Sequence, residues 1–234
     1  VRVLDSLGVV GFKTGSGELR NLQLMQAIAE TNKPAIISTG MSTMQEIKDT
    51  VNFMNNLNAE IMLTNCTSIY PAPYSSVNLK LIEELRRQLG VWVGHSDHTP
   101  NIWTAVGAVG MGAKLIEKHF TLNKYLQGPD AAVSLDTSEM KQMIDGIRII
   151  DEAKGTGVKE VRAEEQTVRD WAHHSVVSLT DIPAGTPIAT EHVTVKRPGT
   201  GIPASRLTDV IGSIAKKNIE KNSMLCWDDI DIAD

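Results

Sequence analysis

Cysteine is scarce in this chain: 234 residues hold only Cys66 and Cys226, far apart and with no Cys-x-x-Cys. That excludes a disulfide framework and a structural zinc cage, both of which need closely spaced thiols. The two thiols are expected to be reduced and buried, as in a cytoplasmic protein. No apolar run approaches the ~18–20 residues that cross a bilayer, so no membrane span is expected. The opening residues, Val1 to Asp5, carry no signal-peptide pattern. An excess of positive charge is also missing. Lys and Arg number 23 against 28 Asp and Glu, a net charge of −5, which disfavours nucleic acid as a partner. What remains, 41% apolar and 22% charged residues, suits a globular protein.

One pattern recurs through the first ~150 residues: a short apolar run, a polar loop with small residues, then an amphipathic stretch. The runs are Val9–Lys13, Ala35–Ser38, Ile61–Asn65, Val91–Gly94 and Leu115–His119. Helical spacing appears in Asn21–Thr31, Ser42–Asn55, Val77–Gln88, Asn101–Ala113 and Thr137–Ala153. Ser42 with Gln45, or Thr43 with Glu46, supplies a capping box for the second of these. Parallel β/α units repeat in this way. Five units suit either an open doubly wound sheet or part of a (β/α)₈ barrel, and the helix-like Val1–Gly8 leading into a strand favours a barrel without its first three strands. Residues 1–154 form this α/β domain, 155–173 a polar linker and 174–234 a small β-rich domain. Within the last, Asp181–Val193 and Asn218–Ile230 form a weak internal repeat.

Strand ends of a parallel array share one face, where ligands bind. His98 and His119 close consecutive runs, a two-point hold for a divalent metal if water and substrate supply the remaining ligands. Lys13, followed by Gly15-Ser16-Gly17, offers a charge, open backbone N–H groups and a hydroxyl, which suit a phosphate. The later loops add Ser38, Ser68, Tyr70, Ser96, Asp97 and Asp130. Each has a plainer reading: Ser38 caps a turn, Tyr70 packs under a proline, Asp97 caps the helix near Asn101, and Asp130 ends the turn Gln127–Asp130. His95 points away from Ser96 in a strand and is left out. His173 and His174 are solvated linker residues. Arg197, before Pro198-Gly199, reads as an exposed basic loop.

The ordered motifs Phe12-Lys13-x-Gly-Ser-Gly-Glu, Ser38-Thr-Gly-Met, Cys66-Thr-Ser-x-Tyr-Pro-x-Pro, Ser96-Asp-His-Thr, Glu117-Lys-His-Phe-Thr, Gly128-Pro-Asp and Lys196-Arg-Pro-Gly resemble the bacterial sialic acid synthase family. That family includes the N-acetylneuraminate, legionaminic and pseudaminic acid synthases. The resemblance runs from about Leu4 to Ile230. It implies a (β/α)₈ TIM barrel, here strands four to eight, followed by an antifreeze-like SAF domain. The absent strands one and two carry, in the family, a catalytic glutamate and a second phosphoenolpyruvate-binding lysine.

By that resemblance Lys13, Ser16, Ser38, Ser68 and Ser96 bind phosphoenolpyruvate, and His98 and His119 hold Mn²⁺ or Mg²⁺. Tyr70 and Asp130 face an N-acylmannosamine-type sugar. Arg197 reaches the partner subunit's barrel in a domain-swapped homodimer. Ser68 stands where some members have asparagine, and Thr14 replaces an apolar residue. The reaction implied is condensation of the two substrates to a nonulosonic acid with C–O cleavage. Two other readings compete: a Schiff-base aldolase-type lyase using Lys13, and a non-catalytic interaction protein that keeps the SAF domain.

Overall fold

Strands and helices alternate along the first part of the chain, and side-chain caps at Asn21, Thr43 and Asp136 start three of the helices. The computed structural model describes residues 1–125 and 128–232 and divides the chain into two units, Val1–Gly157 and Val158–Asp234. The first unit runs α1 (Arg2–Ser6), β1 (Phe12–Thr14), α2 (Leu22–Ala29), β2 (Ala35–Ser38), α3 (Met44–Asn56), β3 (Ile61–Cys66), α4 (Lys80–Leu89), β4 (Trp92–Asp97), α5 (Trp103–Gly110), β5 (Ile116–Lys118) and α6 (Thr137–Ala153). Of the two possible boxes, Thr43 and Glu46 form the one that starts α3, and Asp136 with Glu139 starts α6. Gly90 ends α4 in the left-handed conformation, with φ of 67°.

The five strands are all parallel and stand in chain order, β1-β2-β3-β4-β5. A doubly wound sheet reverses its order at a switch point; a barrel does not. The sheet also curls. In a flat sheet β1 and β5 would stand about 19 Å apart, four spacings of ~4.8 Å. Yet Lys13 Nζ of β1 lies 2.9 Å from Glu117 Oε1 of β5. The result is an α/β half-barrel, five strands of the eight that close a TIM barrel.

Alternation along the strands separates two faces. Phe12, Ala35, Ile37, Leu63 and Val93 point outward and pack against Met25, Ile28, Val51, Met54, Ile82 and Leu85 of the helices, forming the main core. The inner face carries Lys13, Ile36, Met62 and Trp92 on one rung and Ser38, Thr64 and Gly94 on the next. Cys66, Ser96 and Glu117 follow on the third. Apolar side chains thus floor the concavity and polar ones crowd its C-terminal rim. Gly94 has a packing reason: a Cβ there would lie 2.7 Å from the Leu115 carbonyl oxygen.

The second unit contains α7 (Gln166–Ala172), β6 (Ser175–Ser178), β7 (Val193–Lys196), α8 (Leu207–Val210), β8 (Ile214–Ala215) and β9 (Ile230–Asp231). β6 pairs antiparallel with β7, and β8 with β9. Its own core is built on Val176, Ile182, Ile188, Ile202, Ile219 and Leu225. The two copies of the internal repeat meet at Ile182 and Ile219, whose N–H groups donate to each other's carbonyls at 2.8 and 2.9 Å. α7 lies within the segment read from sequence as a linker, and His173 and His174 after it are exposed. The expectation of two buried thiols is corrected: Cys66 is partly buried and Cys226 is exposed. Cys226 is placed by its backbone, whose N–H donates to the Asp229 carboxylate at 2.8 Å, and this leaves its side chain outside.

Candidate active site

His98 and His119 follow directly on β4 and β5, and the parallel pairing brings their rings to 5.3 Å between centroids, edge to face. His98 Nδ1 lies 2.8 Å from the Thr67 carbonyl. A neutral imidazole donates there and keeps its Nε2 lone pair free. His119 Nδ1 lies 3.6 Å from Asp130 Oδ2. Both rings thus turn Nδ1 to an oxygen, the arrangement that orients imidazoles as metal ligands. Among the described residues no group of three His, Cys, Asp or Glu gathers as a cation cage. The imidazole pair is a nitrogen donor set whose chemistry would fit a divalent ion, with water and substrate supplying the remaining ligands. Tyr70 covers the pair, stacked on His98 at 4.0 Å and edge-on to His119 at 5.7 Å. Gln127 of the turn before Asp130 lies outside the described residues.

A second group gathers on Glu117. Its Oε1 accepts from Lys13 Nζ at 2.9 Å and from the Ser96 hydroxyl at 3.1 Å. Lys13 is thereby aimed across the inner face from β1. From sequence, Glu117 stands out only as part of the Glu117-Lys-His-Phe-Thr motif, which gives it no role of its own. The signal that could have found it is the alternation that places it inward with His119.

A third group joins the loops after β1, β2 and β3. The Gly40 N–H donates to Ser16 Oγ at 3.1 Å, and the Ser16 hydroxyl lies 3.5 Å from Cys66 Sγ. A Cβ on Gly40 would stand 2.3 Å from Ser68 Oγ and 2.6 Å from Ser16 Oγ, so the two hydroxyls close over this glycine. Cys66 Sγ is also 3.9 Å from His98 Nδ1, which ties this group to the imidazoles. Ser38 is buried one rung lower, its hydroxyl 2.9 Å from that of Thr64.

The electrostatics follow from these contacts. Burial works to raise the Cys66 pKa, but hydrogen bonds from His98 and Ser16 outweigh it and hold the thiol below its usual range. Burial works to lower the His98 pKa, while Cys66 and the Thr67 carbonyl outweigh it and hold it above the ordinary value. At His119 burial prevails over the nearby Asp130 carboxylate and lowers the pKa. The Tyr70 hydroxyl is pushed up by burial and by its acidic neighbours.

Asp97 does not cap α5, which begins without a side-chain cap; its carboxylate is buried against Lys118. His95 is buried on the outward face, its Nδ1 3.1 Å from the Asn65 carbonyl. Arg197 belongs to the second unit, where its Nε donates to the Ala172 carbonyl at 2.9 Å and its guanidinium lies over Trp171 at 5.3 Å.

The NeuB family model matches residues 1–159, and the SAF domain model matches residues 173–231. The chain is 38% identical over 231 residues to an uncharacterized protein of Methanocaldococcus jannaschii, covering 98% of this chain and 68% of that one. It is 40% identical over 228 residues to an N,N'-diacetyllegionaminic acid synthase of Campylobacter jejuni, covering 96% and 68%. The crystal structure of the N-acetylneuraminic acid synthetase of Leptospira borgpetersenii, in complex with citrate, aligns with a TM-score of 0.68 at 30% identity, over 71% of this chain and 59% of that one. The chain thus spans about two thirds of the length of the curated relatives it matches.

Proposed function

The chain belongs to the NeuB family, and from that premise we propose that it condenses phosphoenolpyruvate with an N-acylmannosamine-type sugar to a nonulosonic acid and phosphate. One observation carries the reading. His98 and His119 stand at neighbouring strand ends on the face that also holds Lys13 and the hydroxyls of Ser16, Ser68 and Ser96.

Lys13 serves as a fixed cation for the phosphate, aimed by Glu117, and the hydroxyls of Ser16, Ser38, Ser68 and Ser96 orient phosphoenolpyruvate around it. Tyr70 and Asp130 flank the imidazole pair and hold the sugar. His98 and His119 would hold Mn²⁺ or Mg²⁺, which when bound would supply Lewis-acid polarisation for the open-chain aldehyde oxygen. C3 of phosphoenolpyruvate adds to the aldehyde carbon, and water adds to C2. The tetrahedral carbon then expels phosphate through its C–O bond, with Lys13 stabilising the departing charge. Arg197 contacts the N-acyl group in a partner subunit's site, which makes the working unit a domain-swapped homodimer. The Lys13–Glu117 ion pair suits a fixed charge better than the neutral amine of a Schiff-base lyase.

The test assays the complete gene product with Mn²⁺, an N-acylmannosamine and phosphoenolpyruvate labelled with ¹⁸O at the bridging oxygen. The label should leave in the phosphate. His98→Ala and His119→Ala should fall to background while keeping the wild-type circular dichroism. Wild-type turnover by either variant at saturating substrates, or borohydride trapping of a Lys13–pyruvate adduct, would overturn the reading. A folded, inert gene product would favour the interaction protein.

A further inference from the structure

One ion pair in the first unit lies outside every role assigned above. Asp97 and Lys118 are register partners on the last rung of β4 and β5. Their side chains turn outward, opposite to Ser96, Glu117 and the two imidazoles. Lys118 Nζ lies 3.0 Å from Asp97 Oδ2, with side chains 1% and 0% exposed. The carboxylate is fully engaged: Oδ1 accepts the Thr99 N–H at 2.9 Å, and Oδ2 accepts the Thr104 hydroxyl of α5 at 2.9 Å. Lys118 also donates to the Thr99 carbonyl. One ammonium therefore grips the residue before His98 and the residue after it, and that ammonium belongs to the residue before His119. The His98 carbonyl is itself held by the Ala72 N–H at 2.9 Å.

Stability alone is a poor reason for such a pair. Two buried charges give up their hydration, and apolar residues of similar volume commonly serve a core as well or better. What the pair adds is direction, because charge-assisted hydrogen bonds fix each atom relative to the next. Asp97-His98 and Lys118-His119 are equivalent dipeptides on adjacent strands. Whatever locks residue 97 to residue 118 also locks the offset between the two imidazoles.

We infer that the Asp97–Lys118 pair is a positioning device that sets the spacing and orientation of His98 and His119 for a shared divalent cation. The inference rests on the functional reading above and makes Asp97 and Lys118 positioning residues, since neither faces the substrates.

The test compares the complete wild-type protein with Asp97→Leu/Lys118→Met, which removes both charges at similar volume. Mn²⁺ affinity is read from the electron paramagnetic resonance signal of the free ion, alongside thermal melting, kcat and the KM for phosphoenolpyruvate. The double variant should melt cooperatively and bind Mn²⁺ about 10- to 100-fold more weakly, the loss usual when support is removed from metal-bound imidazoles. Its kcat should fall, while the KM for phosphoenolpyruvate stays within about twofold. Unchanged Mn²⁺ affinity in the folded double variant overturns the inference. So does a double variant that fails to fold, because the pair would then serve the stability of the strands. A wild type without a Mn²⁺ site that His98→Ala removes overturns the functional reading and this inference together, so the two failures are distinguishable.

Discussion

The Tyr70 ring lies against the His98 imidazole, with centroids 4.0 Å apart and planes 30° from parallel. The stack holds one imidazole by its face, and the Tyr70 hydroxyl has no hydrogen-bond partner among the described residues, so it can serve a polar group of the substrate. Tyr70→Phe should therefore keep Mn²⁺ affinity within about twofold and raise the sugar KM several-fold. Tyr70→Ala should weaken both, since such stacking contributes about 0.5–1.5 kcal/mol. Steady-state kinetics with Mn²⁺ titration check this, and equal effects of the two variants on Mn²⁺ would contradict it.

Gly40 is the point where the Ser16 and Ser68 hydroxyls meet. Gly40→Ala should push both aside, because hydroxyl side chains rotate more easily than the strand ends shift. The expected result is a KM for phosphoenolpyruvate raised at least tenfold, about 1.4 kcal/mol. Melting should change by only a few degrees. A wild-type KM would show that the hydroxyls are not phosphate contacts.

Asp229 gives the second unit a pH dependence of definite sign. Burial works to raise its pKa, but the Lys217 ammonium at 2.6 Å and the Cys226 N–H outweigh it and hold it low. A carboxylate with a depressed folded-state pKa stabilises the fold above its unfolded value of about 3.9, and that contribution is lost as pH falls through the folded pKa. Asp229→Asn should therefore lower the melting temperature at pH 6–7, and the gap to the wild type should narrow below about pH 4. A gap that widens on acidification would reverse the assignment.

Arg197 is held in its own unit by Ala172 and Trp171, so its guanidinium is pre-oriented before it meets any ligand. If it acts in trans, Arg197→Ala should impair use of the acyl-mannosamine far more than phosphoenolpyruvate binding. Mixing it with His98→Ala should restore activity, because one site of each hybrid dimer would be intact. Verified subunit exchange with no recovered activity would rule out the trans placement.

The strand-ending residues were legible because their signals are local. A five-residue apolar run, a capping box or a Gly-Ser-Gly loop acts within about one turn of chain, and β/α alternation alone puts Lys13, His98 and His119 on a single face. Short-range signals could not say who would answer each charge. Lys13 finds Glu117 104 positions later, an encounter that exists only because the sheet curls. Asp97 could equally have capped the next helix; Lys118 claims it because β4 and β5 pair in one particular register. Cys226 was expected inside on hydrophobicity, and the tertiary structure leaves it exposed because a backbone hydrogen bond to Asp229 sets its position. Periodicity and caps belong to neighbouring residues and are determined by the sequence itself. Ion pairs and burial depend on which strands become neighbours in space, and only the folded chain decides that.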